Sequence, residues 1–289
     1  MLHDYDTSSD RFVELFAHTP PVPALAKKLL RWDAVYFVHA AQGNGKVYEQ
    51  EWAFGIGFSS VVRGIITLIA RTTGVRMGEV VVAIGLAHGM HLVAVLALYQ
   101  LTLILLSAGT STARSVYGYT PPALGAALLH VISPAGIFLS APYAESSFAA
   151  LSFMGACLFV RAGRFPTSSA SRSLHVLAAG LVFGVSATFR SNGILSGLLF
   201  ASEAIYTLIG VLQSENMLHC WRKLLDVVIL CIGGLELAGG FAYPQILAWT
   251  RYCSNDMETT RPQWCDYTIP SIYSHVQATY WYVAFEHDL

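Results

Sequence analysis

The run Val80-Val81-Val82-Ala83-Ile84-Gly85-Leu86-Ala87-His88-Gly89-Met90-His91-Leu92-Val93-Ala94-Val95-Leu96-Ala97-Leu98-Tyr99-Gln100-Leu101-Thr102-Leu103-Ile104-Leu105-Leu106 decides the fold class. From residue 80 to residue 113 no Asp, Glu, Lys or Arg occurs. About 20 apolar residues in a helix cross the hydrocarbon core of a bilayer, so this run spans it with length to spare. No water in that core can satisfy an unpaired backbone group, which makes the helix the only open-chain solution.

The rest of the chain agrees. Its 289 residues are 54% hydrophobic and only 12% charged, against roughly 25% charged in soluble domains. Mean hydropathy is +0.52. A water-soluble surface cannot be built from so little charge. With that run included, apolar segments fall at 53–70, 80–107, 121–141, 146–162, 174–189, 193–212 and 224–247. They predict six or seven membrane passes in an all-α, polytopic transmembrane bundle. Membrane lipid is therefore a partner. Nucleic acid is excluded, because the net charge is -1 and Lys and Arg form no block.

Orientation follows from excess positive charge on cytoplasmic loops. The clusters Arg71/Arg76, Arg161/Arg164/Arg172 and Arg222/Lys223 cannot all be cytoplasmic if seven passes alternate strictly. Two readings of 121–141 remain open: a segment broken at Ser133-Pro134-Ala135-Gly136 that re-enters from one side, or an ordinary span kinked at Pro134. The first puts the long polar segments 31–52 and 251–275 on the lumenal side. The N-terminus is polar, with Asp4, Asp6 and Asp10, and lacks the pattern of a secretory signal. Of five cysteines, Cys253 and Cys265 share one polar stretch and are expected to be disulfide-bonded, or at least lumenal. No CxxC or Cys/His cluster is present, so no metal site is expected. His88, His91 and His130 read as polar residues of helix packing, and Glu236 as a hydrogen-bonding group between helices.

Chemistry concentrates just before the first apolar segment. Arg31-Trp32-Asp33-Ala34-Val35-Tyr36-Phe37 and Tyr48-Glu49-Gln50-Glu51-Trp52-Ala53-Phe54 hold three carboxylates among aromatic rings. A carboxylate close to a bilayer is costly unless solvated, paired or lining a site. Sugar transfer to a hydroxyl uses such a group to take the proton as oxygen attacks the anomeric carbon. Position alone favours an interfacial belt of Trp32, Tyr36 and Trp52 with Asp33 capping a helix. Glu145 either lines a substrate cavity or sits at a helix start favoured by the dipole. Arg190 either pairs with a lipid phosphate or snorkels to the interface.

Six segments, in order, resemble the GPI mannosyltransferase 2 family: Tyr5-Asp6-Thr7-Ser8; the Arg31 to Phe37 stretch; the Tyr48 to Phe54 stretch; Pro134 to Phe138 with Ala141-Pro142-Tyr143-Ala144-Glu145-Ser146; Phe189-Arg190-Ser191-Asn192-Gly193; and Arg261-Pro262-Gln263-Trp264-Cys265. The resemblance implies a GT-C type bundle with lumenal loops in the endoplasmic reticulum membrane. It implies dolichyl phosphate mannose as donor with no cofactor, and the glycosylphosphatidylinositol (GPI) precursor glycolipid as acceptor of a second, α1,6-linked mannose. It also implies a small membrane subunit in some organisms. Asp33 is then the expected acid/base, with Glu49 its rival, and Trp32, Tyr36, Glu145, Arg190 and Asn192 are expected to bind substrate. Family members carry an apolar helix before the Tyr-Asp-Thr-Ser segment and more helices after the counterpart of residues 270–285. Residues 1–289 are accordingly expected to be one incomplete transmembrane domain. The chain also departs from the pattern at Gly55-Ile56-Gly57, Tyr282 and Ala284. Other readings are another lipid-linked transferase of the same class, a secondary transporter, or a non-catalytic membrane subunit. A transporter usually shows paired inverted repeats, and no internal repeat is visible here.

Overall fold

A computed structural model describes residues 22–42, 45–107, 120–214, 216–254 and 261–281. The segment Tyr5-Asp6-Thr7-Ser8 and positions Tyr282 and Ala284 lie outside the described residues. The described chain is helical, with no strand. Its α-helices are α1 (Ala24–Leu29), α2 (Ala34–Ala41), α3 (Gly57–Thr73), α4 (Glu79–Ser107), α5 (Thr120–Val131), α6 (Gly136–Ser140), α7 (Glu145–Ala162), α8 (Ala170–Phe189), α9 (Gly197–Leu212), α10 (Met217–Tyr252) and α11 (Ile272–Val276). Short 3-10 turns lie at Glu49–Ala53, Ser191–Ser196 and Gln263–Asp266.

Among the described residues, four helical stretches are long and apolar enough to cross a membrane: Glu79–Ser107, Ala170–Phe189, Ser191–Leu212 and Met217–Tyr252. The expected passes at 53–70 and 146–162 form helices of 17 and 18 residues that fall outside that set. The expected pass at 121–141 is not one helix. The chain leaves α5 at Val131, turns through Ser133 to Ala135 and restarts as α6. Pro134 lacks the N–H that continuation requires, which is the physical reason for the break.

The chain divides into two compact units. One holds residues 1–87, 140–144 and 242–289, and the other holds 88–139 and 145–241. In the first, α2 buries Ala34, Phe37, Val38, Ala40 and Ala41, and α3 buries Phe58, Val62 and Ile66 at a spacing of four, one helix face. Phe37 sits edge-on between Phe54, Phe58 and Tyr143 at 5.4, 5.6 and 6.0 Å. Arg63 reaches back from α3 to the carbonyls of Ala40, Ala41 and Gln42 at 2.6, 3.3 and 2.8 Å, capping the end of α2. A second core gathers Trp52, Ala248, Cys253, Trp264, Cys265, Ile272 and Val276. Cys253 and Cys265 are disulfide-bonded, as the sequence predicts.

In the second unit α7 and α8 pack along their lengths, with Val176, Ala179, Phe183, Phe200, Leu230 and Leu237 in the core. Gly180 and Gly184 form a small-residue ridge on α8. A side chain at Gly180 would meet the Gly233 backbone at 2.6 Å, and one at Gly184 would meet the Glu236 carbonyl at 2.7 Å. Such close backbone approach is how helices associate in lipid, where apolar burial gives no advantage. Only 6% of the apolar window of Ser191–Leu212 is buried within the chain, which leaves its leucines and isoleucines for lipid.

The positive clusters are put to structural use. Arg164 caps α4 through the Ile104 carbonyl at 2.8 Å and the Ser107 hydroxyl at 2.6 Å. Arg172 is buried between Asp226 at 2.8 Å and Glu203 at 2.9 Å. The rings of His91 and His130 face each other at 5.1 Å between α4 and α5, in keeping with helix packing. Glu236 corrects the sequence reading: its Oε2 is buried against α8 with no hydrogen-bond partner among the described residues.

Candidate functional site

Within the first unit the loop before α2 makes an unusual turn. Trp32 has φ 49°, in the left-handed region, a conformation costing a bulky side chain about 1–3 kcal/mol. The turn is held by the Arg31 carbonyl, which accepts the Ala34 N–H at 3.1 Å and the Tyr143 hydroxyl at 2.9 Å. Its outcome is that Trp32 (55% exposed) and Asp33 both face outward at the start of α2. Asp33 occupies the N-cap position, yet its side chain makes no capping hydrogen bond. The capping reading of Asp33 is therefore set aside. Tyr36 is half-buried and stacks on Phe54 at 5.1 Å and 17°, so one of its faces is occupied by the protein.

The two glutamates of the next loop differ sharply. Glu51 is fully buried and takes hydrogen bonds from the Val47 N–H at 2.6 Å, the Tyr48 N–H at 3.0 Å and the His39 ring. Burial acts to raise its pKa, but these donors outweigh it and hold the carboxyl below the usual carboxylate range. Its carboxylate ties the Gly45 to Phe54 loop to α2. Lys46, also buried, donates to the Glu51 and Phe54 carbonyls, the latter at 2.7 Å, and lies over the Trp52 ring at 5.9 Å. Burial lowers its pKa to about 7, partly offset by the Glu51 charge.

Glu49 is only partly covered. Its Oε1 accepts the indole N–H of Trp264 at 3.1 Å, and its Oε2 lies 3.7 Å from Nε2 of His275. Glu51, Lys46 and His275 carry no functional signal in the sequence, and Trp264 stands there only within the segment Arg261 to Cys265. Tyr252, at the end of α10, joins the cluster by donating to the Val47 carbonyl at 3.1 Å.

The remaining expected residues lie in the second unit. Glu145 opens α7 and forms an ion pair with Arg190, the residue that ends α8. Asn192 is exposed on the following 3-10 turn, which starts with the Gly193 N–H bonded to the Arg190 carbonyl at 2.9 Å. Of the expected residues, Trp32, Asp33, Tyr36 and Glu49 lie in the first unit, and Glu145, Arg190 and Asn192 lie in the second. No group of three or more metal-ligating side chains occurs among the described residues.

Fold and side chains together define a polytopic α-helical membrane protein that presents carboxylates and aromatic rings outside its apolar helices. The chain belongs to the family described as Mannosyltransferase (PIG-V), whose profile matches residues 12–287. It is 45% identical over 282 residues, 98% of this chain and 62% of the relative, to GPI mannosyltransferase 2 of Gibberella zeae. It is 39% identical to GPI mannosyltransferase 2 of Chaetomium globosum, over 90% of this chain and 58% of that protein. The GPI alpha-1,6-mannosyltransferase 2 of Mus musculus is 29% identical over 91% of this chain and 52% of its own length. The chain thus spans about three fifths of the length of the first two of these relatives. No solved structure matches.

Proposed function

We propose that this protein transfers a mannose, the second and α1,6-linked one, to the GPI anchor precursor in the endoplasmic reticulum membrane, with its site on the lumenal face. The family membership supports the reaction class, and the names of the fungal and mouse relatives support the acceptor and linkage. The observation that carries the reading to residues is the strained Trp32 turn. It holds an outward-facing carboxylate, Asp33, that is not used to cap its helix. Strain of this kind persists only where the surrounding structure enforces it, and it gathers at working sites.

The donor is dolichyl phosphate mannose. Asp33 takes the proton of the acceptor hydroxyl as its oxygen bonds to the anomeric carbon, while the bond from that carbon to the phosphate oxygen breaks and dolichyl phosphate leaves. Trp32, 55% exposed, supplies an aromatic ring for the sugar, with Tyr36 as a second aromatic contact. Arg190 keeps further N–H donors beyond the one given to Glu145, enough to hold the donor's phosphate, with Asn192 beside it in sequence. A small membrane subunit belongs to the same proposal.

Expression in cells defective in the second GPI mannosylation tests the reading. Restored GPI-anchored surface protein is the expected result. A stably expressed protein that leaves the one-mannose precursor unextended contradicts it.

A further inference from the structure

We propose that Trp264 and His275 are positioning residues that act through Glu49, making it a second working carboxylate of the site. The inference rests on the transferase reading above and deepens it.

Both oxygens of Glu49 are met by groups from one distant segment. The Trp264 indole, a donor only, meets Oε1 at 3.1 Å across 215 residues of chain. His275 Nε2 stands 3.7 Å from Oε2. The His275 ring is itself set: it lies on the Trp264 ring at 6.4 Å and 30°, and its Nδ1 is 3.4 Å from the Thr279 hydroxyl, which turns Nε2 toward Glu49. Trp264 is fully buried in the core formed with Trp52, Ala248 and the disulfide, so its N–H is aimed by packing that Glu49 does not supply. The disulfide fixes the neighbouring residue, Cys265, to the end of α10. Glu51, two positions away, is the contrast: it is fully buried and its donors, His39, Val47 and Tyr48, come from positions 39 to 48. Glu49 instead keeps 22% of its side-chain surface open while Trp264 holds Oε1 and His275 stands within ion-pair reach of Oε2. A carboxylate that is anchored but still accessible is suited to gripping a hydroxyl, and a saccharide acceptor presents several. Oriented groups matter steeply: misplacement by about 1 Å can cost on the order of 100-fold in rate.

The test is a double-mutant cycle on mannose transfer in microsomes, at matched protein abundance and with Cys253–Cys265 oxidation checked. Trp264→Phe and His275→Leu are each measured with Glu49 present and in the Glu49→Gln background. Each is expected to lower transfer by roughly 10- to 100-fold with Glu49 present, and by less than about twofold in the Glu49→Gln background, because partners that act through one group are not additive. Equal losses in both backgrounds would make the two residues merely structural and overturn the proposal. So would wild-type transfer by both single variants, or by Glu49→Gln itself. If Trp264→Phe fails to accumulate, His275→Leu decides alone. Failure of the transferase reading is separate: there the unmutated protein transfers no mannose.

Discussion

Arg190 and Glu145, 45 residues apart, form an ion pair that joins the end of α8 to the start of α7. The pair merges two readings that the sequence kept apart, a phosphate-binding arginine and an acceptor-binding acid. With 41% of the arginine side chain exposed, its contribution to stability is small, about 0.2–1 kcal/mol after screening. Under the proposed function, the pair aims the Arg190 guanidinium.

Arg190→Lys keeps the charge and loses the planar fork. The protein should accumulate normally while the KM for dolichyl phosphate mannose rises several-fold, with a smaller change in kcat. Glu145→Gln should raise the same KM, because it frees the arginine from its orientation. Unchanged donor KM in both variants would remove Arg190 from phosphate recognition and leave a purely structural pair.

The disulfide gives a second prediction. Cys253 and Cys265 are 12 positions apart in sequence, and closures of this size contribute about 2–4 kcal/mol. A membrane-impermeant thiol reagent applied to sealed, outward-facing-cytoplasmic microsomes should leave both unlabelled with or without a membrane-permeant reductant. Opening the microsomes should permit labelling only after reduction. Labelling of either residue in sealed, unreduced microsomes would contradict both the bond and the lumenal placement. Cys253→Ser should also reduce transfer, since it loosens the segment that carries Trp264.

Lys46 supplies a pH dependence whose sign can be worked out. Its pKa in the folded loop is about 7, below the ordinary 10.5. Between those values the unfolded loop binds more protons than the folded one, so loop stability rises with pH across that window. The cost of burying the charge is fully present below 7. Hydrogen-exchange protection of the amides from Val47 to Ala53 should therefore increase by about one to two powers of ten from pH 7 to pH 9. In Lys46→Met that rise should vanish. A rise of equal size in the variant would assign the effect to another group.

Much of this was legible in the sequence. The uncharged run from Val80 became one helix of 29 residues because backbone bonding in lipid permits little else. The pairing of Cys253 with Cys265 followed from their shared polar stretch, whereas Pro134 left a kink and a break both open until the structure showed the interruption between Val131 and Gly136. The division of labour among the carboxylates was not legible. Glu49 and Glu51 stand two residues apart with the same chemistry, and only tertiary contacts bury one and leave the other accessible. Trp264 and His275 reach Glu49 across more than 200 residues, a distance over which no sequence period carries a signal. The left-handed Trp32 is hidden for the opposite reason: the conformation belongs to glycine and asparagine, so a tryptophan there gives no hint of the turn.

Transfer of mannose by Asp33→Asn tests the central claim most directly. Asp33 makes no side-chain cap, and Asn caps as well as Asp, so the substitution should leave abundance near normal. A positioned acid/base contributes on the order of 10²–10⁴-fold, and transfer to the one-mannose GPI precursor should fall by about that factor. An Asp33→Asn protein that mannosylates at the wild-type rate would contradict the account, and a dead Glu49→Gln beside it would move the catalytic assignment to Glu49.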